Sequence, residues 1–225
     1  LSMTSSTSYR DLPSTPGREQ KAAVNELLQS IGQAPVSTLD TSNPDVSIAW
    51  NTLVSTSRNV QAEGWTFNTE KNVKFTRSTT AGYVDYILLP QTSDILRCDL
   101  ANNLENKQHD SVIRRDPTNQ YFLRDKANHT NEWDYDPLCD VVYYYDFETL
   151  PIPILSYITA RAATICSSRI TGDRAQYQML KEREDFTRIQ ALEYETSQGD
   201  YSFFGIDNHL QSYTPYQPID SLRRY

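Results

Sequence analysis

The feature that most constrains the fold is a change of periodicity along the chain. Apolar residues recur at the three- and four-residue spacing of amphipathic helices in residues 16–64 and again in 149–200. Between them, in residues 65–148, short runs of β-branched and aromatic residues alternate with turn residues, which is typical of strands. We therefore expect an α+β fold. Two sequence-distant helical hairpins would form a bundle of about four helices, and a small antiparallel β-sandwich or barrel would be inserted between them.

Capping signals predict where the helices begin and end. Thr15–Pro16 and Asn43–Pro44 each place a capping side chain before a proline in the first turn, and Gly32 and Gly64 are suitable stops. Pro151 and Pro153 are tolerable only in a first turn, so a third helix begins there. The predicted helices are 16–31, 44–63, one that begins at about Pro151, and 173–198.

The apolar positions of these helices predict a single core. Six side chains are expected to be buried together: Leu27, Leu28, Trp50, Leu53, Ile158 and Ile165. The fourth helix has a sparser apolar face and a heavily charged outer face. We expect its apolar positions to face that core: Ala175, Met179, Phe186, Ile189 and Leu192.

The central stretch and the two ends complete the domain prediction. The candidate strands are 73–76, 83–88, 95–98, 111–114, 121–124 and 141–145. Residues 1–15 are rich in Ser and Thr and are expected to form a flexible arm. Residues 201–225 carry aromatic side chains without periodicity, so we expect an extended tail that docks on another surface.

The charge balance excludes several classes of protein. The chain has 21 basic and 29 acidic residues, a net charge of −8 and a mean hydropathy of −0.63. Tight nucleic-acid binding normally requires a basic surface, and a membrane helix requires roughly 18 consecutive apolar residues. Neither pattern is present in the sequence. Three scattered cysteines indicate free buried thiols rather than a disulfide framework.

The sequence offers few residues for catalysis or cofactor binding. Neither of the glycine-rich phosphate-binding motifs occurs, and His109, His129 and His209 are expected in surface loops without a second ligand nearby. We predict no catalytic residue, no cofactor and no metal.

One acidic segment, residues 132–140, leaves alternatives open. Asp134, Asp136 and Asp140 lie beside aromatic residues, as the acid/base carboxylates of a polysaccharide-degrading enzyme would. The same carboxylates could hold calcium. The simplest interpretation is a polar turn between two strands, whose aromatic side chains pack the β module.

Three segments carry a resemblance to a known family. They are residues 23–39, which follow the start of the first predicted helix, residues 64–68 at the end of the second, and residues 145–151 before the third. In order and spacing they resemble the tail tubular protein A family, the head-to-tail adaptors of short-tailed, podovirus-type bacteriophages. The resemblance covers about residues 20–198 and brings no catalytic motif with it.

The resemblance implies a structural virion protein made in the host bacterial cytoplasm. Its copies would form a homo-oligomer, a dodecameric ring below the portal protein, joined to the tail nozzle (tail tubular protein B) and offering an anchor for a tail fibre. Double-stranded DNA would pass through the ring without specific binding, and no membrane would be involved. Twelve copies at −8 each would carry −96 charges, which repel phosphate.

Overall fold

The fold was analysed in a computed structural model that describes residues 17–40, 42–90, 94–101 and 105–199. The helices are α1 (Arg18–Ser30), α2 (Pro44–Gln61), α3 (Ile152–Ile170) and α4 (Arg174–Gly199). Six strands lie between α2 and α3: β1 (Thr69–Lys74), β2 (Ile87–Leu89), β3 (Ile95–Leu100), β4 (Ser111–Arg115), β5 (Tyr121–Asp125) and β6 (Leu138–Tyr143). The predicted α+β class is confirmed. The predicted arm (1–15), the Thr15–Pro16 cap and the tail (201–225) lie outside the described residues.

The helix ends follow the predicted signals where the structure describes them. The side chain of Asn43 accepts a hydrogen bond from the backbone N–H of Asp45 at 3.0 Å, which caps α2. Gly32 and Gly64 adopt φ values of +79° and +82°, a region that favours glycine. These glycines turn the chain away after α1 and α2.

The helices bury one continuous apolar core. It is formed by side chains from α1, α2 and α3 together with Trp65, Phe147 and Leu150, which flank the β region. Five of the six predicted core residues belong to it: Leu27, Leu28, Trp50, Leu53 and Ile158. The prediction for Ile165 is wrong. This residue is only half-buried, because Ala162 and Cys166 occupy the core-facing positions of the same turn of α3.

The predicted orientation of α4 is also wrong. Ala175 is exposed, and four larger apolar side chains are exposed on the side of the helix away from α3: Met179 (73%), Phe186 (61%), Ile189 (63%) and Leu192 (45%). We call these four residues the α4 stripe. The side that packs on α3 carries Glu184, Thr187 and Ala191. The Thr187 hydroxyl bonds to backbone carbonyls of its own helix, so this polar residue is buried at low cost.

The six strands form two small antiparallel sheets. One sheet has the order β1–β6–β3 and the other β2–β5–β4. Their inner faces enclose a second, smaller core of Ile87, Cys98, Leu123, Trp133, Cys139 and Val141. The predicted strand 83–88 is wrong over its first half. Gly82 and Asp85 have φ values of +88° and +60°, so the chain turns there and β2 begins only at Ile87.

Two buried amide side chains join the start of the β region to its end. Asn68 donates hydrogen bonds to the carbonyl oxygens of Gln61 (2.9 Å) and Tyr143 (2.8 Å). Gln61 donates to the carbonyl of Tyr145 at 3.0 Å and accepts from its N–H at 2.8 Å. Both side chains are almost fully buried. They hold together the two points at which the chain enters and leaves the β region, here called the junction.

Candidate functional site

The three carboxylates of the acidic segment do not converge on one site. Asp136 accepts hydrogen bonds from the backbone N–H and the guanidinium Nε of Arg77, at 3.2 and 3.3 Å, and pairs with Lys74 at 3.8 Å. Asp140 accepts from the backbone N–H of Asn72 at 3.0 Å. Asp134 is exposed and alone of the three lines an open pocket of the β region. Asp136 and Asp140 therefore hold β1 and the residues after it to the neighbouring chain.

The pKa of Asp136 is also shifted in the direction opposite to that of a catalytic acid. The hydrogen bond from the backbone of Arg77, with smaller contributions from the side chains of Arg77 and Lys74, lowers the pKa of Asp136. A general acid in glycoside hydrolysis requires a raised pKa. This environment keeps Asp136 ionised and suits an ion pair that stabilises the turn.

The open pocket is built around a buried histidine–aspartate pair. His109 Nδ1 lies 2.6 Å from Asp125 Oδ2, and the side chains are 18% and 2% exposed. The imidazole packs against Trp133 and Tyr135, with ring centroids 5.7 and 5.0 Å away. His109 lies in a loop before β4, as expected, but its side chain is largely buried rather than on the surface. The pocket, about 520 Å³, also contains Asp85, Glu132 and Arg77.

Asp125 is the centre of this hydrogen-bond network. Asn128 donates to it through its side chain at 2.7 Å, and the backbone N–H groups of Ala127 and Asp110 donate at 2.9 and 3.3 Å. Burial by itself raises the pKa of Asp125, but the bonds from His109, Asn128 and the backbone outweigh it and lower the pKa. A carboxylate so fully engaged with donors closes the 126–131 turn and holds the segment before β4. The arrangement therefore stabilises the fold of this part of the β region.

Sequence reasoning could not find this pair. His109 and Asp125 are 16 residues apart, and neither belongs to a recognisable motif. Only the pairing of β4 with β5 brings His109, two residues before β4, next to Asp125, the last residue of β5. Among the described residues no group of three or more histidine, cysteine, aspartate or glutamate side chains is arranged to hold a metal ion.

The cysteines are buried and free, as the sequence predicts. Cys98 and Cys139 lie on adjacent strands inside the β core, and Cys166 lies inside the helical core. The neighbouring Cys139 thiol and burial raise the pKa of Cys98. Burial raises the pKa of Cys166. Both thiols are therefore protonated packing groups.

The described helices were also considered as membrane spans. In the part of the chain that the structure describes, none of them combines the length and apolar character needed to cross a bilayer. The apolar surface that is present outside the core belongs mainly to α4, on a helix that also carries many charges.

Comparison with known proteins also indicates a structural role. No curated protein matches the chain significantly. The family model described as tail tubular protein matches residues 22–201. This range includes both sheets and all four helices, apart from the first turn of α1. Because that match covers well over half of the sequence, the chain belongs to the tail tubular protein family and is a structural component of the bacteriophage tail.

Proposed function

We propose that this chain is the subunit of the head-to-tail adaptor. About twelve copies would form a ring that joins the portal protein to the tail nozzle. The observation that carries the proposal is the family match over residues 22–201. It includes the three segments, 23–39, 64–68 and 145–151, that resemble tail tubular protein A. The podovirus class, the copy number and the partners rest on that resemblance. Synthesis in the host cytoplasm and an anchor for tail fibres belong to the same proposal.

The negative charge of the chain supports a role in lining a DNA channel rather than in binding DNA. A net charge of −8 repeated around a ring gives a channel wall that repels phosphate, so DNA passes without being held. A specific DNA-binding protein needs the opposite sign. The proposed partners are therefore proteins, with double-stranded DNA as cargo.

The domain division proposed for this role follows the two cores. Residues 16–64 and 149–200 form the helical domain, and residues 65–148 form an inserted β domain, with an arm at 1–15 and a tail at 201–225. Separate buried clusters in the two regions support this division. Each domain would offer its own contact surface, one toward the portal or neighbouring copies and one toward the nozzle or fibre.

Mixing the purified chain with portal protein tests the adaptor proposal. We expect a complex whose mass and electron-microscopic class averages show one ring of about twelve copies on each portal. The chain incubated with an unrelated ring-forming protein serves as the control. Absence of any complex with the portal at saturating concentrations would contradict the adaptor role while leaving the family assignment intact.

We also propose that residues 201–225 attach the ring to a neighbouring copy or to the portal. Several tyrosine and phenylalanine side chains in this stretch would be costly to leave in water, and Pro215 and Pro218 favour an extended course. Truncation after Asp200 is expected to leave a folded protein that forms rings or binds portal less well. Cosedimentation at matched concentrations measures this, and undiminished binding of the truncated chain would refute the docking role.

We propose further that the chain has no catalytic activity. The alternative, a polysaccharide-degrading tail enzyme that uses Asp134, Asp136 and Asp140, conflicts with the separation of these carboxylates and the lowered pKa of Asp136. Incubation with the capsular polysaccharide of the host should release no reducing sugar. Release that is abolished by Asp134→Asn, Asp136→Asn or Asp140→Asn would instead establish the enzyme.

A further inference from the structure

Two of the three cysteines lie side by side in the sheet β1–β6–β3. In the register of β3 with β6, Cys98 is opposite Val141 and Leu100 is opposite Cys139, so the two cysteines are diagonal neighbours. Residues two apart on a strand point to the same face of a sheet. Both cysteines therefore enter the same β core, where their side chains are 3% and 0% exposed.

The two sulfur atoms are in contact. The thiol of Cys98 forms a hydrogen bond with the thiol of Cys139, and this bond, followed by burial, raises the pKa of Cys98. An irregularity in the pairing between Ile95 and Arg97 lies next to Cys98. Such a bulge increases the local right-handed twist, which turns diagonal side chains of two strands toward each other. Cys166 lies in the separate helical core, so the contact involves this pair alone.

The position of β3 gives the pair room to react. β3 is the last strand of its sheet, so its backbone ladder joins it to β6 only. On its other side, the hydroxyl of Ser111 reaches the carbonyl of Cys98 at 3.4 Å, which is a long contact. A strand held in this way can open locally without global unfolding. Such openings admit a small oxidant and allow the side chains to adjust to the geometry of a disulfide bond.

We propose that Cys98 and Cys139 are a redox-sensitive pair, reduced in the newly made chain and joined by a disulfide bond when the protein meets an oxidising medium. The timing rests on the proposed synthesis in the host cytoplasm, because that compartment keeps thiols reduced whereas disulfides persist on virions. The bond itself requires only the contact between the two strands.

A peroxide is the oxidant, and the reaction proceeds in two steps. One sulfur, as the thiolate, attacks an oxygen of hydrogen peroxide and breaks the O–O bond, which gives a sulfenic acid and hydroxide. The hydroxide takes up the proton that the thiol released. The second thiol then attacks the sulfenic sulfur, and the S–O bond breaks as water leaves. In sum, two thiols are oxidised to one disulfide and one peroxide is reduced to two waters.

The disulfide bond would close a loop that contains most of the β region. Residues 98–139 include β4, β5 and the histidine–aspartate pair. A cross-link reduces the freedom of the unfolded chain, and the folded state is stabilised by comparison. The bond would therefore reinforce the region with the smaller apolar core and leave the helical core unchanged.

Thiol counting in the purified full chain tests the pairing. The reduced protein is treated with dilute hydrogen peroxide, unfolded in a thiol-blocking reagent and examined by mass spectrometry. We expect three blocked thiols before oxidation and one, Cys166, afterwards, with a peptide that links Cys98 to Cys139. Cys166→Ser should still form the link. Three thiols that remain free, or oxidation to sulfinic acids without a linked peptide, would overturn the proposal.

The melting temperature tests the consequence for the β region. Oxidation should raise it by several degrees in the wild-type chain, and a reductant should reverse the change. Cys139→Val, which keeps a small apolar side chain in the core, is the matched control and should melt at the same temperature with or without peroxide. A linked chain that melts no higher than the reduced chain would overturn the stabilising role.

Comparison of virions with infected cells tests the timing. Both samples are treated with the thiol-blocking reagent before they are disrupted. We expect the link in virions and free thiols in the newly made protein. Virions in which both thiols are free would overturn the proposal. Portal binding by the reduced chain is measured separately, so this failure is distinguishable from failure of the adaptor role.

Discussion

The helical and β regions of this chain are stabilised in different ways. The helical region buries one large apolar cluster drawn from three helices and the segments beside them. The β region has a much smaller apolar cluster, and beside it a buried carboxylate, Asp125, that receives hydrogen bonds from His109, Asn128 and backbone groups. A small double sheet cannot enclose much apolar volume, so specific polar contacts supply what its core lacks.

The two regions should therefore be sensitive to different kinds of substitution. The stability that apolar burial provides falls with the volume of side chain that a substitution removes. A buried polar network depends on every partner and on protonation. The two regions meet at the junction of Gln61 and Asn68, where the same hydrogen bonds serve both.

The largest effect is expected from a cavity in the helical core. Leu53 is 1% exposed, so Leu53→Ala should lower the free energy of unfolding by about 2–5 kcal/mol through lost transfer energy and the cavity left behind. Denaturant titration measures it. Ile48→Ala on the same helix, at a 42% exposed position, is the matched control and should stay within about 0.5 kcal/mol. Equal effects of the two substitutions would refute the assignment of the core face.

A break at the junction should be smaller but should separate the two regions. Asn68→Ala leaves the N–H of Trp65 and the carbonyls of Gln61 and Tyr143 without this partner, at a cost of about 1–3 kcal/mol. We expect helical and strand signals to unfold at different denaturant concentrations in this variant and together in the wild-type chain. Asn59→Ala, at an exposed position of α2, serves as the control. Coincident transitions in the Asn68 variant would show that apolar contacts alone couple the regions.

Acid should affect the β region through Asp125. Its pKa in the folded state lies below the ordinary value of 3.8, so its contribution to stability is present above that pH and is lost as the pH falls through the folded-state value. The free energy of unfolding should therefore decline below about pH 4. Asp125→Asn removes the titrating group and should decline less steeply, since the other aspartates are common to both proteins. Parallel pH profiles would indicate that the network around Asp125 contributes no pH dependence.

The smallest effect is expected from metal removal. Exhaustive EDTA treatment should leave the melting temperature and ring assembly unchanged, because the carboxylates of the acidic segment are engaged with Arg77, Lys74 and backbone groups. Calorimetry before and after chelation measures this. A fall of several degrees that calcium reverses would contradict it and would restore the acidic segment as a cation site.

Local patterns were sufficient for most of the helical region. Proline and capping signals predict the start of α2, and the apolar spacing of α1, α2 and α3 identifies Leu27, Leu53 and Ile158 as core residues. These predictions succeed because a helix presents its faces at a constant angular interval, so the face that is buried can be read from a single segment.

The same reasoning failed for α4, for Ile165 and for the histidine–aspartate pair. An apolar face indicates that a helix has a partner but not whether the partner lies in the same chain, and α4 turns Thr187 and Ala191 inward while Phe186 and Ile189 face solvent. The prediction for α4 assumed that its apolar face is the buried one, and the prediction for Ile165 assigned it to the core face of α3, which Ala162 and Cys166 occupy instead.

Sequence alone therefore determined the order of the elements, the α+β class, the acidic charge and the family resemblance, because each follows from local composition or spacing. Tertiary structure decided which side of α4 is covered, how β4 and β5 bring His109 to Asp125, and how Gln61 and Asn68 join the two regions. These depend on which surfaces meet in space. Contacts between residues distant in sequence leave no periodic signal in any one segment.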